Sequence, residues 1–202
     1  MKKEILDMNI MKQPNKENSI LLVWSGGIYV LTIAIVIISS WLSKLYLFNL
    51  SLTVSLYVGL RQWTSVIYFI SASIIGVFIF LYVLKTKMNT IKSIVYFMVI
   101  ISIVGCAWFP CNSSRSVLIT TVHNYFSYAL IILVTISLVL MTIFARNKKQ
   151  RVFAICGILY STFFIVAFAF GFHAFQSTVL VWENIFIFIL LFELYLEKYN
   201  LV

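Results

Sequence analysis

Six blocks of almost unbroken apolar residues run through the chain, at about residues 19–41, 64–84, 91–109, 122–145, 152–173 and 179–197. Each comes close to the roughly 20 residues that a helix needs to cross about 30 Å of hydrocarbon. The pattern therefore predicts an all-α integral membrane protein, a six-transmembrane-helix bundle over residues 19–202 behind a tail of residues 1–18. Between the first two blocks the period changes. In NLSLTVSLYVGL, from Asn49 to Leu60, polar or small residues alternate with apolar ones, and a period of two marks a strand. Residues 44–60 are thus expected to form a short extracellular β-like segment, one strand or a hairpin, across the helix ends. Frequent leucine and modest β-branching leave an amphipathic interfacial helix as the alternative.

Composition supports the membrane assignment, since 62% hydrophobic and 10% charged residues cannot clothe a water-facing surface. The net charge of +9 would suit nucleic acid if it formed one face. Instead the cations punctuate the gaps between apolar blocks, so no nucleic-acid partner is expected and the bilayer itself is the partner. If the N-terminal tail is cytoplasmic, 12 of the 15 Lys and Arg residues fall on that side, leaving Lys44, Arg61 and Arg115 opposite. The positive-inside rule then places both termini in the cytoplasm of a cell (inner or plasma) membrane protein. The first block is longer than a signal-peptide core and no small-x-small cleavage site follows, so it is expected to remain as an anchor.

Between Glu17 and Glu183 there is no Asp or Glu. That stretch cannot supply the paired carboxylates of glycoside hydrolysis or the carboxylate ligands of magnesium-dependent phosphoryl transfer. What remains gathers on the predicted outer face. His123 opens the fourth span, His173 closes the fifth and Glu183 opens the sixth, with Cys111, Asn112 and Arg115 in the loop above and Arg61 in the external loop before the second span. An unpaired buried charge is costly, so Glu183 is expected to pair with Arg61 or Arg115. Trp63, Trp108 and Trp182 fall at a similar depth, as an interfacial aromatic belt does.

No metal or cofactor is expected. Zinc would need His123, His173 and Glu183 to converge, and neither H-E-x-x-H nor H-x-x-E-H occurs. Cys106 and Cys111 flank Pro110 and could join in an oxidising compartment, whereas Cys156 is expected to be a buried packing residue. No proline interrupts a span and no ionisable residue is placed at mid-membrane, which argues against a carrier. Small residues at Ala72 and Gly76, Gly157 and Ser161, Ala167 and Gly171, and Ser25 to Gly27 are expected to mark helix contacts.

The stretch GCAWFPCNSSRSVLITTVHNYFSYALIILV, Gly105 to Val134, resembles a signature of an uncharacterised prokaryotic six-transmembrane-helix family catalogued only as a domain of unknown function. The likeness lies in a Phe-Pro turn after the third span, here Phe109 and Pro110, and in His123 opening the fourth. Members often begin the last span with Glu-Arg; VWENIFIF retains Glu183 but has Asn184 in place of Arg, which weakens any ion-pair role carried over. The resemblance implies a six-helix bundle with no established reaction.

The function expected from these features is that of a non-catalytic multi-pass membrane protein. Its extracellular cap, residues 44–63 and 109–121, would bind a protein partner or lipid. The alternatives are a membrane-embedded enzyme or metal or haem binder using His123, His173, Glu183 and Cys111, and a small-molecule transporter.

Overall fold

A computed structural model describes residues 16–42, 53–59, 62–86, 88–110, 117–172 and 178–197. Seven helices occur among them and no strand: α1 Lys16–Leu42, α2 Val54–Gly59, α3 Gln62–Lys85, α4 Thr90–Trp108, α5 Val117–Phe144, α6 Lys148–Ala169 and α7 Val179–Glu197. All but α2 are long and apolar enough to cross a membrane. Only 28–39% of each span's most apolar stretch is buried within the protein. The remainder shows Ile, Val, Leu and Phe outward, a surface that only hydrocarbon would accommodate.

Local chemistry sets where several helices begin and end. Asn89 caps α4, its side-chain oxygen accepting from the Ile91 N–H at 2.9 Å, and Asn147 caps α6 through the Gln150 N–H at 2.9 Å. At the far end of α6, Gly171 takes φ 62°, the Phe172 N–H reaches back to the Ala167 carbonyl and the Gly171 N–H to that of Phe168. This pairing closes a helix when a residue without Cβ turns left-handed. Gly171 therefore ends α6.

Each span packs against the next in the order α1, α3, α4, α5, α6 and α7, and α7 returns to α1 while also touching α5. Bare backbone allows the closest crossings, since lipid gives helices little hydrophobic reason to associate and van der Waals contact must hold them. A methyl on Gly105 of α4 would stand 2.5 Å from the Phe126 ring of α5, and one on Gly157 of α6 would stand 2.9 Å from Leu138. A methyl on Gly76 would meet Ile100 and Val104 of α4, as its small-residue pairing predicted, but one on Gly27 would meet nothing within 4 Å.

Two further expectations are corrected. Over Val54–Gly59 the backbone is helical, not extended. Thr53 accepts the Leu56 N–H through both its carbonyl and its hydroxyl oxygen, at 3.2 Å each, and Val54, Tyr57 and Val58 are buried at helical spacing. The rest of the predicted β-like segment, residues 44–52 and 60, lies outside the described residues. Cys156, expected in the core, is exposed on the outward face of α6. The buried residues of α6 are Gln150, Ala154, Gly157, Ser161, Phe164 and Ala167. Position 156 stands about 200° around the helix from Ala154, on the other side.

Candidate functional site

At the end of the bundle where α2 lies, α7 begins with Glu183 in its second turn. Glu183 Oε2 accepts the Val54 N–H at 2.8 Å, satisfying a donor that the start of α2 would otherwise leave orphaned. This bond pins α2 against the ends of the spans. Beneath it lies a cleft of about 610 Å³ between α5, α6 and α7. Its walls are Ile131, Ile132, Phe164, Ile165, Phe168 and Val179, and its polar end is formed by His123, Asn124, Ser127 and Glu183. Ile132 and Phe168 are exposed on the lipid-facing surface, so the cleft is continuous with it. A smaller cavity of about 120 Å³ shares His123, Ser127 and Glu183 as a common wall and continues inward to Tyr29, Tyr68 and Cys106.

His123 does not open its span as expected. The helix starts at Val117, placing His123 about 9 Å further in at 1.5 Å per residue, and the imidazole is 7% exposed. Its Nδ1 lies 3.1 Å from the Cys106 carbonyl oxygen, and Nε2 lies 3.3 Å from Ser127 Oγ. A carbonyl only accepts, so Nδ1 carries the hydrogen and Nε2 of the neutral ring accepts from the Ser127 hydroxyl. Cys106 Sγ is 3.4 Å from Ser127 Oγ, and the remaining role there is for the thiol to donate. Cysteine, serine and histidine thus form one directed chain whose imidazole nitrogens are both engaged by protein groups.

Of the residues expected to cluster, the structure brings His123 and Glu183 to one cavity. Arg61, Cys111, Asn112, Arg115 and His173 lie outside the described residues, so the expected pairing of Glu183 with Arg61 or Arg115 and the Cys106–Cys111 bridge fall there too. Trp63, Trp108 and Trp182 all sit at this end: Trp108 meets Phe69 edge-on, and Trp182 packs on Tyr160 and Phe163 with its indole N–H donated to Thr178 Oγ1.

A second polar group, not foreseen, fills the opposite end. Lys92 Nζ bonds Glu197 Oε1 at 2.6 Å, with the two side chains 4% and 3% exposed. One turn along α7, the fully buried Glu193 receives the Tyr96 hydroxyl on Oε1 and the Ser137 hydroxyl on Oε2, each at 2.9 Å. Tyr82 donates to the Leu194 carbonyl at 2.6 Å, and Gln150 Nε2 donates to the Leu196 carbonyl at 2.8 Å. These bonds tie the last turns of α7 to α3, α4, α5 and α6, and buried ionisable side chains do stand inside the bundle. A signal for them was present. Glu183, Glu193 and Glu197 fall within an arc of about 80° on α7 at 100° per residue, and acids on one face of a span turn inward. Ser127 was similarly within reach, four residues after His123 and so its neighbour on the helix surface.

Comparison with known proteins found no match to a family model, a curated protein or a solved structure.

Proposed function

We propose that the protein is a multi-pass membrane protein that holds an acyl lipid of the outer leaflet in the cleft between α5, α6 and α7. The orientation in this proposal follows the cation distribution, with both termini cytoplasmic and α2 on the outside. The observation that carries it is the cleft itself. About 610 Å³ lies within the roughly 300–1,000 Å³ of typical ligand sites, which likewise combine apolar walls with a few converging polar groups. Because Ile132 and Phe168 continue the lipid-facing surface, an acyl chain can enter sideways without crossing water. An ester region would then come to rest at His123, Asn124 and Ser127. Glu183, by holding α2 above, closes the cleft toward solvent.

Native mass spectrometry of the protein extracted with its lipids tests this. The wild type is expected to retain one lipid, and Ile132→Trp, which fills the cleft from an exposed position, is expected to lose it. Equal retention in both, or none in either, would overturn the proposal.

A further inference from the structure

We propose that Ser127 and His123 are a nucleophile and general base that transfer the acyl group of an ester lipid. The inference rests on the cleft being a lipid site and goes beyond it in naming a reaction. Its first support is the partner that the Ser127 hydroxyl takes. Along the spans, Ser25, Thr32, Ser73, Thr135 and Thr142 each donate to the carbonyl four residues back, at 2.7–3.0 Å, the common resting place of a hydroxyl in a helix. Ser127 instead turns its hydroxyl to the imidazole of His123.

The second support is the tautomer. The Cys106 carbonyl holds Nδ1–H and leaves the Nε2 lone pair facing Ser127. A third group that orients the base while the base accepts from the nucleophile is the arrangement that activates a serine. A neutral carbonyl here takes the place that an acid fills in the triad. It fixes the ring but stabilises the imidazolium less, which suits a slow enzyme. The third support is position. Both residues line the cleft and the smaller cavity behind it, so there is space beside the pair for an ester carbonyl. The amide of Asn124 and the phenol of Tyr128 belong to the same lining and bring hydrogen-bond donors to it.

The steps balance without redox chemistry. Ser127 Oγ bonds the ester carbonyl carbon as its proton passes to His123 Nε2. The C–O bond to the alcohol then breaks and the alcohol leaves with that proton, giving an acyl-serine. A water or a second lipid alcohol gives its proton to Nε2 and attacks the acyl carbon. Ser127 departs and recovers the proton, and the acyl group has moved to the acceptor.

The test uses the whole protein in lipid nanodiscs and an alkyl fluorophosphonate that bonds an activated serine. One adduct on Ser127 is expected, absent in Ser127→Ala and slowed at least about a hundredfold in His123→Gln, the range for loss of a general base. Labelling should fall in acid as Nε2 takes a proton, which a merely structural hydrogen bond would not produce. Lipid retention by native mass spectrometry is read on the same samples. Lipid retained by a wild type whose Ser127 takes no label, or labelling unchanged in His123→Gln, overturns the reaction and leaves the lipid site standing. Loss of both lipid and label overturns both proposals.

Discussion

Glu183 and Glu193 stand ten residues apart on the inward side of α7, and their surroundings differ in their hydrogen-bond partners and in the space beside them. Around Glu193 each carboxylate oxygen has a hydroxyl donor, the next turn carries the Lys92–Glu197 pair, and the side chain is fully buried. Around Glu183 one oxygen holds the start of α2, and the residue forms part of the wall of two cavities. The comparison teaches that polarity within a span does not by itself mark a site. A saturated cluster fastens helices, whereas a polar group bordering open volume can meet a ligand. The Lys92–Glu197 end is therefore a clasp, and the His123–Ser127 end carries the proposed function.

The comparison breaks first where charge is left unpaired. Lys92→Met strands Glu197 in a buried place and is expected to cost about 3–5 kcal/mol, while the double variant with Glu197→Met recovers most of it. Denaturant unfolding in detergent measures both. Gly105→Ala is expected to cost about 1–3 kcal/mol, because the new methyl overlaps the Phe126 ring and a packed core resists overfilling. Tyr96→Phe removes one donor from Glu193 and should cost about 0.5–1.5 kcal/mol in the same assay. Smallest is Ser127→Ala, which leaves no charge stranded and, at the edge of the cleft, should cost about 0.5 kcal/mol, the low end for a neutral hydrogen bond. If Ser127→Ala proved as damaging as Lys92→Met, the two ends would not divide the labour as described.

What was legible in the sequence follows from how local each feature is. Six spans could be read because length and apolarity are properties of a continuous run. The shared depth of Trp63, Trp108 and Trp182 could be read because span ends are local too. The turn at Val54–Gly59 was misread because Val54, Leu56 and Val58 satisfy a period of two, while Val54, Tyr57 and Val58 satisfy a helical one. Burial alone chooses between them, and burial is set by the packing of α2 on α1 and α3. The depth of His123 was missed because Thr120 and Thr121 resemble the polar end of a span, yet the helix begins before them, with the Thr121 hydroxyl bonded to the Val117 carbonyl at 2.8 Å. The clasp joins Lys92 to Glu197 across 105 positions. No local pattern announces such a pair, and Glu197 sits where a helix end was already expected.

Occupancy of the cleft by lipid is the property on which the proposed function depends. A phospholipid bearing a photoreactive diazirine on its acyl chain, activated in nanodiscs and mapped by peptide mass spectrometry, tests this directly. Adducts concentrated on Ile132, Ile165 and Phe168 well above those on Ile35, Ile143 and Leu159, which face outward on the same helices or elsewhere on the bundle, are the predicted result. Adducts spread evenly over all six positions would contradict it.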